Sequence, residues 1–279
     1  MVKNIFLKTK KPFIIAEAGI NHNGNLKIAY NLVDVAKSNG ADAIKFQTYD
    51  TIKRVGDINS KIYKILKKCE LSYSDFEKIN KYCKLKKITF FSTPFDEEAV
   101  DFLESIKVPF YKIASFDISN YQLIKKIIKT KKPTIVSTGM ATFHEIKKIH
   151  KMFNSKNINL TILHCVSSYP NKEKSSYLSN ISFLRKKFKS LIGISDHTCD
   201  IKIPIYGTLL GAKVIEKHLK INHKHKCVDS PVSITGKQLR NLRNEVDKIS
   251  EILNKPKFGV RPEETGTKIF KRKKIFNKI

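Results

Sequence analysis

Apolar runs alternate with amphipathic segments along the chain, and this alternation predicts a parallel α/β fold. Eight short runs rich in β-branched and aromatic residues are typical of strands, at 13–17, 43–47, 88–93, 110–115, 134–138, 160–164, 191–195 and 214–216. Segments with helical spacing lie between or after them, at 26–38, 73–85, 97–106, 121–129, 144–153 and 236–253. Eight strand–helix units within 279 residues fit a closed (β/α)8 TIM barrel.

Polar residues stand where the strand-like runs end, which is the edge at which (β/α)8 barrels carry their active sites. The last two runs lead into Ser195-Asp196-His197 and Glu216-Lys217-His218. Residues i and i+2 of an extended chain share a face. If these two strands are neighbours, both histidines, the serine and the glutamate converge on one small volume.

Two imidazoles beside a hydroxyl and a carboxylate suit a divalent metal held through nitrogen and oxygen. The alternative is that His197 and His218 are core residues whose hydrogen bonds are satisfied within the fold. Polar residues recur at the ends of all eight strand-like runs, which favours a site over this alternative. We therefore expect the two histidines to bind a divalent metal.

Two lysines, Lys45 and Lys112, lie within apolar strand-like runs, where an unpaired ammonium is costly to bury. Each needs an anion. Hydroxyls that could share such an anion lie near strand ends, at Thr93, Ser115, Ser137 and Ser195. This set predicts a phosphate site. Two alternatives stay open, namely that each lysine pairs with a carboxylate such as Glu17 or Glu216, or that one of them forms a Schiff base.

The net charge of +29 raises the question of nucleic-acid binding. Only six of the 54 basic residues are arginine, the side chain whose planar fork grips phosphate and guanine. The lysines are scattered along the predicted helices without interleaved aromatic residues. We therefore expect a solvated lysine-rich surface and no specific nucleic-acid partner, with steering of an anionic substrate as the alternative.

The five cysteines form an odd set without a Cys-x-x-Cys pair, which argues against a disulfide framework and a thiolate zinc site. A reducing compartment, the cytoplasm, is the expected location. No apolar stretch approaches the roughly 20 residues that a membrane span needs. The first eleven residues lack the long apolar core of a secretory signal.

Several segments, taken together and in order from about residue 13 to 229, resemble the sialic acid synthase family. They are the segments 16–24 (AEAGINHNG), 45–48 (KFQT), 92–95 (STPF), 111–115 (YKIAS), 137–140 (STGM), 164–165 (HC), 195–198 (SDHT) and 216–218 (EKH). The resemblance implies a metal-dependent enzyme. It would condense phosphoenolpyruvate with an open-chain N-acetylated hexose to a nine-carbon 2-keto-3-deoxy acid.

The resemblance also implies a role for each matching residue. Phosphoenolpyruvate is expected near Lys45, Thr93, Lys112, Ser115, Ser137 and Ser195. His197 and His218 would hold Mn²⁺ or Mg²⁺. Residues expected to contact the sugar or to handle protons are Glu17, Glu216, Tyr169 and Asp229. Ser167 stands where many relatives have asparagine, in a segment expected to contact the substrate.

The same resemblance implies a homodimer and a small antifreeze-like domain after the barrel, whose arginine reaches the sugar of the partner subunit. We expect residues 1–255 to form the barrel and residues 256–279 a basic, linker-like tail, with the antifreeze-like domain absent. Pseudaminic and legionaminic acid synthases are alternatives that differ in the hexose. A catalytically impaired barrel that acts as a binding partner is a further alternative.

Overall fold

Eight parallel strands form the centre of the computed structural model, which describes residues 11–253 and 255–271. The strands are β1 (Phe13–Gly19), β2 (Ala43–Thr48), β3 (Thr89–Pro94), β4 (Tyr111–Ile113), β5 (Thr134–Ser137), β6 (Leu160–Cys165), β7 (Leu191–Asp196) and β8 (Val214–His218). Hydrogen-bonded neighbours follow the order β3-β2-β1-β8-β7-β6-β5-β4, and β3 packs against β4 to bring the ends together. The predicted TIM-barrel architecture is confirmed.

Helices follow the strands on the outside of the barrel. They are α1 (Leu26–Ser38), α2 (Thr51–Val55), α3 (Lys61–Cys69), α4 (Tyr73–Leu85), α5 (Glu97–Ser105), α6 (Tyr121–Lys129), α7 (Phe143–Asn154), α8 (Ser179–Lys187), α9 (Lys202–Leu209) and α10 (Gly236–Ile252). The six helices named from the sequence occur with ends within one residue of those predicted. The pattern did not single out α2, α3, α8 or α9. In α9, Pro204 and Gly207 are poor helix formers, and tertiary packing overrides their propensity.

Side chains of alternate strand residues point into the barrel, and they form two layers. The lower layer is an apolar cluster of seven buried residues, Ile15, Ala43, Phe91, Phe110, Ile135, Leu163 and Val214. Two residues further along the same strands, towards their carboxyl ends, the inward positions become polar or ionisable, at Glu17, Lys45, Thr93, Lys112, Ser137, Cys165 and Glu216. The period of two along a strand therefore stacks a reactive layer directly on an apolar floor.

The outward strand residues pack against the helices in a second, larger apolar cluster. A charged pair interrupts it: Asp196 of β7 is in register with Lys217 of β8, and both side chains are almost fully buried. Because these residues alternate with Ser195, His197, Glu216 and His218, the pair lies immediately behind that part of the barrel mouth.

After α10 the chain forms two short 3-10 turns, Pro262–Glu264 and Lys268–Phe270, whose side chains are mostly exposed. The division into a barrel at 1–255 and a tail at 256–279 stays a prediction. Part of the predicted basic tail, residues 272–279, and most of the amino-terminal segment lie outside the described residues. Among the residues that are described, no helix has both the length and the apolar character needed to cross a membrane.

Candidate active site

A cavity of about 240 Å³ opens at the carboxyl ends of the strands. Twelve of the thirteen site residues predicted from the sequence line it, namely Glu17, Lys45, Thr93, Lys112, Ser115, Ser137, Tyr169, Ser195, His197, Glu216, His218 and Asp229. The thirteenth, Ser167, lines a neighbouring cavity of about 470 Å³ between the segments that follow β5 and β6. Cys165 lines both cavities, so the two spaces share a wall.

The strands β7 and β8 meet as the sequence pattern predicted. Ser195 and Glu216 are register partners, and the Ser195 hydroxyl donates a hydrogen bond of 3.0 Å to Glu216 Oε1. Two residues further on, the rings of His197 and His218 lie with their centroids 5.4 Å apart. The predicted convergence of these four side chains is confirmed.

Each histidine has a different hydrogen-bonding state. Nδ1 of His197 lies 2.9 Å from the carbonyl oxygen of Val166 and must donate to it, which leaves Nε2 with its lone pair free. Nδ1 of His218 is buried without a hydrogen-bond partner, although Asp229 Oδ2 lies 3.4 Å away. This orphaned nitrogen argues against the alternative of two satisfied core histidines.

The two imidazoles fit a divalent metal as a partial ligand set. Within residues 11–253 and 255–271, no group of three or more His, Cys, Asp and Glu side chains is arranged to hold an ion. A metal held by His197 and His218 would need ligands in addition to these two imidazoles. Coordination positions left open by the protein are the hallmark of catalytic rather than structural metal sites.

Asp229 reaches the site from the segment between β8 and α10, and Asn21 holds that segment in place. The Asn21 amide donates to the carbonyl oxygen of Leu219 at 2.8 Å and to the Ser233 hydroxyl at 2.9 Å. Its side-chain oxygen accepts from the Asp229 backbone at 3.0 Å. On the other side of the histidines, the ring of Tyr169 lies 4.1 Å from that of His197.

Both predicted lysines lie in the reactive layer, and both are close to the carboxylate of Glu216. Lys45 Nζ lies 2.8 Å from Glu17 Oε2 and 3.7 Å from Glu216 Oε2, and it donates to Thr93 Oγ1 at 3.1 Å. Lys112 Nζ donates to Ser137 Oγ at 2.7 Å and lies 3.7 Å from Glu216 Oε1. The lysines thus pair with carboxylates, as one alternative held, and also contact the hydroxyls expected of an anion site.

Their surroundings shift the pKa values of the two glutamates in opposite directions. Burial raises the pKa of Glu17 by more than the neighbouring charge of Lys45 lowers it, and the charge of Glu216 adds to the increase. Burial acts on Glu216 in the same direction, but Lys112, Lys45 and the Ser195 hydroxyl bring its pKa below the usual range. Carboxylates whose pKa values diverge in this way are suited to different roles in one reaction.

Other cavity-lining side chains were given no role from the sequence, among them Gln47, Arg54 and Phe95. Gln47 follows Lys45 by two residues on β2, so the period-two pattern could have identified it. Arg54 lies on α2, beyond the end of β2, and its side chain lines the cavity. No alternation along a strand could have revealed that position.

Comparisons with known proteins give results that agree with this arrangement. The NeuB family profile matches residues 32–257. The chain is 34% identical over 281 residues to the pseudaminic acid synthase of Campylobacter jejuni, covering 96% of this chain and 82% of that protein. It is also 34% identical over 261 residues to the N,N'-diacetyllegionaminic acid synthase of the same species, covering 88% and 78% respectively.

A solved structure shows the same similarity in three dimensions. The N-acetylneuraminic acid (sialic acid) synthetase of Leptospira borgpetersenii, crystallised with citrate, superposes with a TM-score of 0.89 at 36% sequence identity. The match covers 93% of this chain and 91% of that one. At this identity and coverage, the whole barrel and its strand ends correspond.

Proposed function

The chain belongs to the NeuB family, and on that premise we propose that it condenses phosphoenolpyruvate with an open-chain N-acylated hexose. The products are a nine-carbon 2-keto-3-deoxy acid and inorganic phosphate. The observation that carries the proposal is the juxtaposition, in one cavity, of two buried ammonium groups and a pair of histidines with a free nitrogen. The first set suits a small polyanion, and the second a metal that binds a carbonyl compound.

The anion end of the cavity suits phosphoenolpyruvate. Lys45 and Lys112 are buried to within a few percent of their surface, where charge-assisted hydrogen bonds to phosphate are strong. The hydroxyls of Thr93 and Ser137 accept hydrogen bonds from them, and Ser115 lines the same cavity. Because Glu216 lies 3.7 Å from both ammonium groups, it can hold the two cations together against their mutual repulsion.

The histidine end suits the aldehyde of the acceptor. His197 and His218 would hold Mn²⁺ or Mg²⁺, which when bound supplies Lewis-acid stabilisation of charge that develops on the aldehyde oxygen. Val166 fixes the orientation of His197 through its carbonyl group. Tyr169 packs against His197 and narrows the mouth on that side. The acceptor carbon is thereby brought next to the methylene carbon of phosphoenolpyruvate.

The reaction forms one carbon–carbon bond and one carbon–oxygen bond to water, and it breaks the carbon–oxygen bond to phosphate. The methylene carbon of phosphoenolpyruvate attacks the aldehyde carbon, and the aldehyde oxygen gains a proton. Water adds at the cationic carbon that still bears the phosphate ester and gives up its protons, one of which balances the proton on the new hydroxyl group. Phosphate then leaves with its bridging oxygen as the ketone forms. The chain contributes positioning and fixed charge to these steps.

The unequal glutamates support a division of labour. We assign proton transfer to Glu17, because burial raises its pKa above the usual range of a carboxyl group and so favours a proton on it. Glu216 stays ionised, and its negative charge can stabilise the positive carbon to which water adds. Gln47 donates to Glu17 Oε1 at 3.3 Å and keeps that carboxyl group oriented.

A Schiff-base aldolase is a second candidate, because burial lowers the pKa of Lys112 as an imine-forming lysine requires. Nζ of Lys112 nevertheless donates to Ser137, and it faces the hydroxyls of the proposed phosphate end. Trapping with borohydride in the presence of a keto acid separates the two candidates. A covalent adduct on Lys112 would establish the aldolase, and its absence together with phosphate release would establish the condensation.

The decisive experiment supplies phosphoenolpyruvate labelled with ¹⁸O at the bridging position. The protein is incubated with it, Mn²⁺ and a panel of N-acetylated and diacetamido hexoses, including N-acetylmannosamine. We expect phosphate that retains the label and a nine-carbon product identified by mass. The hexose that reacts fastest distinguishes a sialic acid synthase from a pseudaminic or legionaminic acid synthase. Label-free phosphate would contradict the mechanism, and tight ligand binding without turnover would support the impaired-barrel alternative.

The homodimer expected from the resemblance remains part of this proposal. Sedimentation of the protein at assay concentration tests it. A monomer that turns over at full rate would remove the dimer from the account without affecting the chemistry.

A further inference from the structure

We propose that Arg54 is a specificity-determining residue that binds the planar N-acyl group of the acceptor hexose, an inference that rests on the proposed function. Arg54 lies in the last turn of α2, the short helix that follows β2. It lines the cavity, although it belongs to a helix and not to a strand of the barrel. Four observations carry this inference.

The first is that α2 is firmly anchored. The Asp50 side chain caps the helix by accepting from the Lys53 backbone at 3.0 Å. Glu70, at the end of α3, accepts from the Thr51 backbone at 3.1 Å and from the Thr51 hydroxyl. A helix of five residues is thus held at its start by two carboxylates, which gives Arg54 a fixed base.

The second observation is that two aromatic rings contact the Arg54 guanidinium. Its central carbon lies 3.6 Å from the ring centroid of Phe95, which follows β3, and 4.8 Å from that of Tyr49, which follows β2. The two rings are themselves in edge contact, with centroids 6.1 Å apart. These two cation–π contacts hold the guanidinium in place without using its N–H groups as donors to a protein oxygen.

The third is that these donors are mostly uncommitted. Among the described residues, Arg54 makes one hydrogen bond, from Nη1 to Gln47 Oε1 at 3.1 Å, and no carboxylate lies within ion-pair distance. A guanidinium carries five N–H groups, and a half-buried one that uses a single donor within the protein favours acceptors from a ligand. Asp229 and Asp117 act on it only from farther away.

The fourth is the apolar surface beside the donors. Ile20 and Phe95 line the cavity next to Arg54. A planar amide with a methyl group matches this combination, because its carbonyl oxygen can accept from the fork while the methyl group packs on Ile20 and Phe95. Phosphoenolpyruvate has its own cations in Lys45 and Lys112, so the acceptor is the substrate left for Arg54.

The contact also links recognition to the reacting groups. Arg54 donates to Gln47, and Gln47 in turn donates to Glu17, which pairs with Lys45. An acyl group that orders Arg54 would therefore steady the side chain to which proton transfer is assigned.

The test uses reduced probes that cannot condense. N-acetylmannosaminitol keeps the open chain and the acyl group but lacks the aldehyde, and mannitol lacks the acyl group as well. Binding of each is measured by calorimetry to the full chain with Mn²⁺ and phosphoenolpyruvate present. The variants are Arg54→Met and Arg54→Lys. Lys53→Met is the matched control, since Lys53 neighbours Arg54 on α2 but pairs with Glu98 at 2.5 Å, outside the cavity.

We expect Arg54→Met to weaken the binding of N-acetylmannosaminitol by about ten- to a hundredfold, which is the usual contribution of a charge-assisted hydrogen bond. Arg54→Lys should lose most of this affinity too, because an ammonium lacks the planar fork. The affinities for mannitol and for phosphoenolpyruvate should change by less than about twofold. Lys53→Met should change none of the three.

Several results would overturn the inference. They are unchanged affinity of Arg54→Met for N-acetylmannosaminitol, an equal loss for mannitol or phosphoenolpyruvate, and failure of the unmodified protein to bind the acetylated alditol. If Arg54→Met does not fold, Arg54→Lys and Phe95→Leu answer the same question, since Phe95→Leu removes the ring that positions the guanidinium. Arg54-dependent binding of the acetylated alditol without phosphate release from any aldose would reject the proposed function, and Arg54 would then remain only a residue that binds an N-acyl group.

Discussion

Lys217 Nζ lies 2.7 Å from Asp196 Oδ2, on the outer face of the two strands that carry the histidines. Asp196 also accepts from the Thr198 backbone at 3.1 Å and from the Thr198 hydroxyl at 2.8 Å, and Lys217 donates to the Thr198 carbonyl oxygen. Every charged atom of this buried pair is thereby compensated. The pair ties β7 to β8 and to the turn after His197, and it thus adds to the ladder that joins the two strands carrying the histidines.

Breaking this pair should destabilise the protein strongly. Lys217→Met leaves a carboxylate buried without its cation, which typically costs about 3–5 kcal/mol of unfolding free energy. Chemical denaturation measures the loss. Lys126→Met is the control, because Lys126 pairs with Asp101 on an exposed surface where such pairs contribute about 0–1 kcal/mol. Equal losses in the two variants would show that the buried pair is not a structural link.

Loss of either histidine should weaken metal binding strongly and spare the fold. His197→Ala and His218→Ala each remove one of two nitrogen ligands and should weaken Mn²⁺ by more than about tenfold. Titration followed by electron paramagnetic resonance reports free Mn²⁺ directly. The exposed His144 provides the matched variant, His144→Ala, which should bind Mn²⁺ normally. Normal Mn²⁺ affinity in both site variants would refute the two-histidine site.

Loss of either barrel lysine should weaken the binding of phosphoenolpyruvate. Lys45→Ala and Lys112→Ala each remove a charge-assisted contact, which corresponds to roughly ten- to a hundredfold in dissociation constant. Calorimetry with phosphoenolpyruvate alone measures this without turnover. Lys125→Ala, on the exposed side of α6, tests whether the general positive charge matters. If it weakens binding as much as the barrel variants do, the anion is held by the overall field.

Stability should fall with acidity in a way that depends on His22. This residue is buried against Phe46, its Nδ1 accepts from the Gly24 backbone, and burial lowers its pKa from 6.5 to about 4. The unfolded chain therefore binds the proton more readily, so the contribution is complete above about pH 6.5 and is lost as the pH falls towards 4.

The size of that contribution is roughly 3 kcal/mol, from the difference in pKa. Unfolding free energies of the protein and of His22→Gln, measured between pH 7 and pH 4.5, should converge as the solution becomes more acidic. His144→Gln should follow the parent at every pH. Parallel curves for His22→Gln and the parent would mean that the histidine is not held neutral by the fold.

The barrel could be predicted from the sequence because its strands are short, regular and buried on both faces. The same period of two that identified the strands also placed Ser195 and Glu216 at one level and the two histidines at the next. Side chains that act at the end of their own strand are visible in such a pattern. Ser167 fell beyond the end of β6, where the period stops, and it faces the neighbouring cavity instead.

Other properties of the site depend on what distant segments bring together. The Arg54 guanidinium contacts the rings of Tyr49 and Phe95 at the cavity. These two residues follow different strands and are far apart in the sequence. The opposite pKa shifts of Glu17 and Glu216 depend on how two lysines are shared between them. Sequence alone assigned both glutamates to the site, but it could not assign them different acidities.

The apolar layer beneath the reactive layer closes the barrel on one side, so that the cavity opens only at the carboxyl ends of the strands. If phosphoenolpyruvate occupies the lysine end and the hexose lies above it, the deeper substrate has to enter first. Phosphate, formed at the bottom, has to wait until the sugar acid has left. If the proposed function holds, the buried layer of Ile15, Phe91 and Phe110 would therefore impose a fixed order of substrate entry and product release, because it closes the barrel beneath the cavity.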